Sequence, residues 1–309
     1  MKKIILSIIS LLILFTLASC GKYKESTEIK ILAPMGTPAV SQMYVQKEKE
    51  AYNYKIDLVQ GADSLSAAFT SKSYDFIYAP LNLGAKMYLN NKNYKLLATV
   101  VNCNYYLVIK KDGNFTLDDI KDKHIVLFGQ GQMSSIVANY IFDKNNITGL
   151  NISYVGNVAE SMSAFIADNS IVALISEPQL SKLEGAVQGL KTISLKEEYT
   201  KVTKENNLPQ AALFIRSDLD SNIAKRYLSN LKSSVNKVNK NIEESAELGS
   251  TLYTSFTKDE LIKAIPRSEI ELNDAKAAKE NIEKFFSIIN EYNDKLIGGT
   301  IDDEFYFKA

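Results

Sequence analysis

Short loops that follow apolar runs carry the side chains of this chain best suited to hold a small polar molecule. Hydroxyl, amide and glycine residues recur in these loops, and a glycine lets the backbone approach a ligand closely. Ligands of open α/β sheets bind beyond the carboxyl ends of the strands, so such loops would surround one cleft. The candidate ligand-binding residues are Met35, Gly36, Thr37, Pro38, Ala79, Pro80, Asn82, Asn102, Asn104, Gln130, Gly131, Gln132, Ser134, Ser135, Glu177 and Gln210.

The densest of these loops is Gly129–Ser135, with two glycines, two glutamines and two serines. It lies where a helix is predicted to begin, and the free N–H groups there suit an anion or a carbonyl oxygen. The loop lacks the Gly-Lys-Ser/Thr ending of a phosphate-binding loop and the spaced glycines of a dinucleotide fingerprint. A tight turn followed by a helix cap is the alternative interpretation. Glu177 leaves two interpretations open as well: an acceptor for a ligand amine, or a helix cap.

Catalytic and metal-binding chemistry find little support in the sequence. The chain has one histidine, His124, and only two cysteines, Cys20 and Cys103, so a zinc or haem site of His and Cys is not expected. His124 is predicted at the exposed start of a strand, and Cys103 is predicted to be a buried structural thiol. No candidate loop places a nucleophile beside a base. We therefore expect a binding protein that is not an enzyme and that needs no cofactor and no metal.

The elements that would position these loops alternate between strand and helix. The alternation occurs twice, over residues 29–104 and again over 117–212, and indicates parallel sheets with crossover helices. We predict an α/β fold of two lobes, the second inserted into the first. Lobe 1 would comprise residues 29–107 and 214–309, and lobe 2 residues 108–213. Two crossover segments, near Tyr105–Lys111 and Gln210–Ser217, would form a hinge; a single doubly wound domain is the alternative.

Apolar residues at helical spacing predict three further helices. Val40–Ala51 is expected to be one of them. The stripe Tyr227–Ile242 predicts a second, followed by a C-cap at Gly249. The stripe Ala278–Leu296 predicts a third, beginning after Asn273 and ending at the following glycines.

The N-terminus carries an export signal. Lys2 and Lys3 precede the apolar stretch Ile4–Leu17, which is shorter than the roughly 20 residues that a membrane-spanning helix needs. The stretch ends at Leu-Ala-Ser-Cys, which looks like a bacterial lipobox. We predict a lipoprotein signal peptide over residues 1–19, lipidation of Cys20 and a tether over residues 20–28. Two acyl chains suffice for stable anchoring; the alternative is a secreted protein with an incidental cysteine.

Composition narrows the choice of partner. The chain has 36 basic and 36 acidic side chains, which gives no excess of positive charge for nucleic acid. Its hydrophobic content of 46% is ordinary for a globular protein. We expect a monomer that binds a small molecule, is held on the outer side of a membrane and does not bind nucleic acid.

Taken in order, several segments resemble one family, the solute-binding lipoproteins of ABC transporters of the nitrate/sulfonate/taurine/bicarbonate (SsuA-like) type. Tyr74–Pro80 is similar to a strand of that family, and Asn82–Tyr88 to the helix after it. Asp118–Phe128 resembles the entrance to the second lobe, and Gln130–Ser135 the turn that follows. The chain departs from the pattern at Asn104, where relatives often carry glycine.

The resemblance implies a two-lobed periplasmic-binding-protein-like fold of type II. It also implies that a ligand binds between the lobes, that the lobes close, and that the closed form docks on a permease driven by an ATPase. The ligand would be a sulfonate-like anion or a pyrimidine or amine-bearing vitamin precursor. Two other functions stay open: a sensor or adhesin lipoprotein on the same scaffold, and a pyrimidine-synthesising enzyme with a reactive histidine or lysine in the cleft.

Overall fold

The structure, a computed structural model, describes residues 27–47 and 52–308. The predicted signal peptide, the lipidation site Cys20 and most of the predicted tether lie outside these residues. Thr27 and Glu28, which were assigned to the tether, instead begin the first strand, where they pair with Tyr52 and Asn53. The folded domain therefore starts two residues earlier than predicted, because the parallel ladder extends to that point.

Lobe 1 is built on a six-stranded mixed sheet with the strand order β11-β4-β10-β3-β1-β2. Strands β1, β2 and β3 run parallel, and β10 is antiparallel to both β3 and β4. The strands are β1 Thr27–Pro34, β2 Tyr52–Val59, β3 Phe76–Pro80, β4 Tyr94–Asn102, β10 Pro209–Arg216 and β11 Ile270–Asp274. The helices of this lobe are α1 Thr37–Ser41, α2 Ala62–Ser71, α3 Leu81–Asn91, α8 Ser221–Lys240, α9 Ile242–Leu252, α10 Lys258–Arg267 and α11 Ala275–Tyr292.

Lobe 2 is built on a five-stranded sheet with the order β7-β6-β8-β5-β9. Its strands are β5 Tyr105–Lys110, β6 His124–Phe128, β7 Asn151–Val155, β8 Val172–Ser176 and β9 Leu190–Ser194. Its helices are α4 Met133–Lys144, α5 Val158–Ala167, α6 Gln179–Ala186 and α7 Leu195–Thr203. The second lobe is thus inserted into the first, as the fold class predicts.

The chain passes between the lobes twice, between β4 and β5 and between α7 and β10. Each strand beside a crossing belongs to one sheet along its whole length: β5 pairs only with β8 and β9, and β10 only with β3 and β4, within the described residues. The predicted boundaries at 107/108 and 213/214 fall inside these strands. The crossings are shorter than predicted because the sheet ladders continue almost up to them.

One hydrophobic core extends through both lobes. It joins one face of the first sheet, with Phe69 and Phe214, to lobe 2 residues such as Leu107 and Tyr140. Helix α11 of lobe 1 also contributes to this core. Its Tyr292 ring lies edge-on to the Tyr140 ring of lobe 2, with ring centres 5.5 Å apart. The lobes are therefore joined by apolar packing as well as by the two chain crossings.

Three predicted helices differ from the observed ones. Val40–Ala51 is not one helix: α1 ends at Ser41, whose hydroxyl donates to the Pro38 carbonyl and so competes with continuation of the helix. The last long helix, α11, is capped by Asp274 rather than Asn273 and ends at Tyr292. Gly249 lies inside α9 instead of ending the helix before it.

Helix α3 packs on β10 at a point where only a glycine fits. A β-carbon on Gly84 would lie 1.9 Å from Cζ of Phe214, a ring that is completely buried. The missing side chain lets α3 lie directly on the sheet. This packing places the N-terminus of α3 next to the cleft described below.

Candidate ligand-binding cleft

A cleft between the lobes holds about 930 Å³ of empty space, part of it open to solvent. It lies at the carboxyl ends of β1, β2 and β3 in lobe 1 and of β6, β7 and β8 in lobe 2. The lining residues are Pro34, Met35, Gly36, Thr37, Pro38, Val59, Gln60, Gly61, Ala62, Leu65, Pro80, Tyr105, Phe128, Gly129, Gln132, Ser134, Gly156, Asn157, Val158, Ala159, Ser176, Glu177, Gln179, Gln210 and Ala211.

Nine of the candidate residues from the sequence line this cleft. They are Met35, Gly36, Thr37, Pro38, Pro80, Gln132, Ser134, Glu177 and Gln210. The other candidates lie outside the lining: Ala79, Asn82, Asn102, Asn104, Gln130, Gly131 and Ser135. Contact of any of these residues with a ligand stays a prediction.

Two of the three asparagines outside the lining, Asn82 and Asn104, join segments around the cleft. Asn82 Nδ2 donates to the carbonyl of Gly131 across the lobes, at 2.9 Å. Asn104 Nδ2 donates to Thr37 Oγ1 at 2.9 Å and to the Ser268 carbonyl at 3.1 Å. Asn102 Nδ2 points away to Glu271 Oε2, at 2.7 Å. Their Nδ2 groups therefore serve bonds within the protein, whereas Oδ1 of Asn82 and Oδ1 of Asn104 are buried without a partner among the described residues.

The hydroxyl groups predicted to donate to a ligand are also bonded within the protein. Thr37 Oγ1 donates to the Glu177 carbonyl at 3.0 Å, which again joins the two lobes. Ser134 Oγ donates to the Phe128 carbonyl at 2.7 Å, and Ser135 Oγ to the Gly129 carbonyl at 2.8 Å. These bonds fix the loop between β6 and α4. The two serines therefore act as the alternative interpretation of a tight turn expects.

The turn in that loop depends on Gly129. Its φ of 68° is in the left-handed region, and a β-carbon there would approach Ser134 Oγ to 2.9 Å. Helix α4 then begins without a side-chain cap, as do α1 and α2, whose N-caps Gly36 and Gly61 also line the cleft. Backbone N–H groups at these helix starts remain open to a ligand.

Two lining segments follow the same strand-end rule and yet are absent from the predicted set. They are Val59–Ala62 after β2 and Gly156–Ala159 after β7. Asn157 caps α5 with its own side chain, accepting from the N–H of Glu160 at 3.0 Å. Glycine followed by a helix start was the signal that could have found both segments.

The main residue missed from the sequence is Arg267, at the C-terminal end of α10. Its Nε lies 2.7 Å from Glu177 Oε1, a contact that is an ion pair without hydrogen-bond alignment. Its Nη1 and Nη2 bind the two carboxylate oxygens of Glu184 at 2.8 and 2.9 Å, and Nη2 also donates to Ser181 Oγ at 2.8 Å. A guanidinium of lobe 1 is thus bound to three residues of lobe 2, all on or beside α6.

Glu177 is the centre of this cluster and is 1% exposed. Burial raises the pKa of its carboxyl to about 7, against the opposing effects of Arg267 and of hydrogen bonds from Ser181. The N–H and the hydroxyl of Ser181 both donate to Glu177 Oε2, at 3.1 and 2.9 Å. Of the two interpretations of Glu177, the helix cap matches these bonds.

This carboxyl makes stability depend on pH. Because its pKa is about 7 in the folded state and near 4.5 ordinarily, the folded chain binds the extra proton between these values. The contribution of Glu177 to the free energy of unfolding is full below pH 4.5 and is lost as the pH rises through about 7. This loss is no more than about 3 kcal/mol. We expect Glu177→Gln to flatten the pH dependence of the urea midpoint over this window. Parallel curves for the variant and the wild type would contradict the assignment.

Neither His124 nor Cys103 lines the cleft. His124 begins β6, opposite its Phe128 end, and its Nε2 lies 2.8 Å from Ser153 Oγ. Cys103 is 1% exposed, and burial raises the pKa of its thiol to about 12. The enzyme alternative depended on a reactive histidine or lysine in the cleft, and neither type lines it within the described residues.

Solved structures share the fold of this chain. An ABC transporter from Parabacteroides distasonis matches with a TM-score of 0.78 and 20% identity, over 91% of this chain and 99% of that one. The ligand-binding component of an ABC-type import system from Staphylococcus aureus, solved with zinc bound, matches with a TM-score of 0.73 and 16% identity, over 91% and 96%. This is the periplasmic-binding-protein fold. It confirms the fold that the resemblance implied.

The same fold is found in the periplasmic aliphatic sulphonate-binding protein SsuA of Escherichia coli, with a TM-score of 0.71 and 11% identity over 91% of this chain and 92% of that one. No protein-family model and no curated protein sequence matches the chain. At these identities, the likeness to periplasmic binding proteins is one of fold.

Two classes of feature are missing from the part of the chain that the structure describes. None of its helices combines the length and the apolar composition that a membrane crossing requires. Nor does any group of three or more His, Cys, Asp or Glu side chains there form a cluster that could hold a metal ion.

Proposed function

We propose that the chain is the extracytoplasmic substrate-binding lipoprotein of an ABC importer. It captures a small polar molecule between its two lobes and delivers it to a membrane permease, through which an ATPase drives uptake. The observation that carries this proposal is a cleft lined by both lobes at the carboxyl ends of their strands. A ligand there contacts both lobes at once, so its binding energy favours the closed arrangement.

The lipobox-like segment Leu17–Cys20 supports the cellular address in this proposal. A thioether-linked pair of acyl chains on Cys20 keeps the binding protein within reach of the permease. Lys22 and Lys24 follow at once, and the folded domain begins only a few residues later, at Thr27. The short connection suits a domain that works close to the membrane surface.

Cys20→Ser tests the anchor. We expect the full-length variant to fail to incorporate labelled palmitate and to move from the membrane fraction to the soluble fraction, because the thiol that carries the lipid is gone. Its folded domain, and any small molecule that co-purifies with the wild type, should be retained.

Cys103→Ala is the matched control, because it removes the other cysteine of the chain. It should stay in the membrane fraction and label as the wild type does. Unchanged uptake of the co-purifying molecule by cells whose Cys20→Ser protein is fully released would refute the proposed role of the anchor. Wild-type protein that is itself in the soluble fraction and incorporates no labelled palmitate would favour the secreted alternative.

A further inference from the structure

The side chains that line the cleft include four glutamines and no cation. Gln60, Gln132, Gln179 and Gln210 lie in the lining, whereas no lysine, arginine or histidine does so among the described residues. An anion bound there would meet helix N-termini but no charged side chain to offset its desolvation, which is costly for the charged form. The lining therefore differs from a site built on cationic side chains.

Two hydroxyl groups and the acidic side chain of the lining are already bonded within the protein. The hydroxyl protons of Thr37 and Ser134 are donated to carbonyl groups of the protein. Glu177 is the one acidic residue of the lining within the described part, and Arg267 and Ser181 hold its carboxylate. Since this carboxylate is completely buried at its side chain, it offers a ligand cation little direct contact.

Two glutamine oxygens lack donors. Gln132 Oε1 and Gln179 Oε1 are buried, and neither has a hydrogen-bond partner among the described residues. Gln179 as a whole is 7% exposed, so bulk water does not readily compensate. By contrast, Gln210 Oε1 accepts from the N–H of Asn104 at 3.0 Å. Buried acceptors of this kind are normally paired, which indicates that a bound molecule supplies the N–H or O–H groups.

Aromatic and apolar surfaces complete the cleft. The rings of Tyr105 and Phe128 meet edge to face, with ring centres 5.8 Å apart, and both line the cavity. Val59 and Leu65 line it from the first lobe. A flat ring placed here would contact ring faces or edges while its polar groups reach the glutamine amides.

We propose that the ligand is an uncharged, planar molecule with N–H donors, of the carboxamide or amino-heteroaromatic class, which Gln132 and Gln179 recognise by accepting its N–H groups. This inference rests on the proposed function, since it takes the cleft to be the site of solute capture. It favours the pyrimidine-like of the two predicted ligand classes over the sulfonate-like one.

Matched probes test the charge and the donor separately. Nicotinamide and nicotinate share a ring and differ in an amide against a carboxylate. Benzenesulfonamide and benzenesulfonate likewise share a ring and differ in a neutral sulfonamide against a sulfonate anion. We expect the full chain, purified in detergent with its anchor, to bind each amide at least about tenfold more tightly than its anion in calorimetric titrations. Tighter binding of either anion overturns the proposal, and so does failure of both amides to bind.

Two variants test the two glutamines. Gln179→Leu and Gln132→Leu should each weaken binding of the amide probe about tenfold, because leucine is similar in size to glutamine but has no acceptor oxygen. Gln188→Leu is the control: Gln188 is exposed and outside the lining, so binding should not change. Unaltered binding in both lining variants, each with a wild-type melting curve, overturns the assignment. Failure here leaves the anchoring and uptake results of Cys20→Ser intact, so the two proposals fail separately.

Discussion

Replacing Arg267 by alanine is expected to lower the free energy of unfolding by about 2 kcal/mol and to open the two lobes in solution. Removal of one partner of a buried ion pair commonly costs about 3–5 kcal/mol, because the other charge remains buried and uncompensated. The Arg267 side chain is 34% exposed, so solvent screening reduces this figure. Urea unfolding and the radius of gyration from solution scattering would measure the two effects.

Arg216 provides a matched control within one lobe. It also binds two carboxylates, Asp75 at 2.8 Å and Asp218 at 2.6 Å, and its side chain is 26% exposed, yet all three residues belong to lobe 1. Arg216→Ala should therefore reduce stability without changing the radius of gyration. Arg267→Ala with a wild-type radius and wild-type stability would show that the interlobe cluster has no part in closure.

Two further variants separate charge from geometry. Arg267→Lys keeps the charge but loses the planar fork that binds Glu184, so it should recover only part of the stability. Adding Glu177→Gln to Arg267→Ala removes the uncompensated carboxylate and should restore part of the loss. Additive losses in the double variant would contradict coupling between the two residues.

Gly84→Ala is expected to destabilise the protein by about 3 kcal/mol, at the upper end of overpacking effects. The new methyl group would be 1.9 Å from Cζ of Phe214, and ring atoms on both sides of Cζ would lie at 2.3 Å. Phe214 cannot move aside because it is completely buried in the core. Helix α3 would have to shift away from β10. Urea unfolding of the variant measures the loss.

Gly185→Ala makes the corresponding change where space is free. Gly185 is exposed on α6, and no atom lies within 4 Å of its added β-carbon. Alanine has the higher helix propensity, so this variant should gain about 0.5 kcal/mol. A similar loss in both glycine variants would mean that the contact with Phe214 does not determine the Gly84 effect.

The sequence carried enough information for the fold and for part of the cleft. Alternating apolar runs and helix starts predicted two α/β units, because strand and helix periodicities are local properties of a chain. The rule that ligands bind beyond strand ends led to Thr37 and Gln132, which line the cleft. Their roles as ligand contacts stay predictions.

The interlobe contacts could not be read from local patterns. Arg267 is separated from Glu177 by 90 positions of sequence and ends a helix whose apolar residues Leu261 and Ile265 belong to the core of lobe 1. No periodicity indicates which buried carboxylate a distant arginine will reach. The roles of the Thr37 and Ser134 hydroxyls were also beyond local patterns. Their residue types suggested ligand donors, whereas both hydroxyls donate to carbonyl groups of the protein.

The strand order of the first sheet also sets the sequence in which the molecule can assemble. Strand β10 lies between β3 and β4, so these two strands have no hydrogen-bonded connection until residues 209–216 are available. Lobe 2, in contrast, is a continuous segment that is complete by Thr203. A chain delivered from its N-terminus can therefore finish the inserted lobe while the outer one is still open. Strand β10 then closes the loop over residues 103–208, a long-range step that is entropically unfavourable and expected to limit the folding rate.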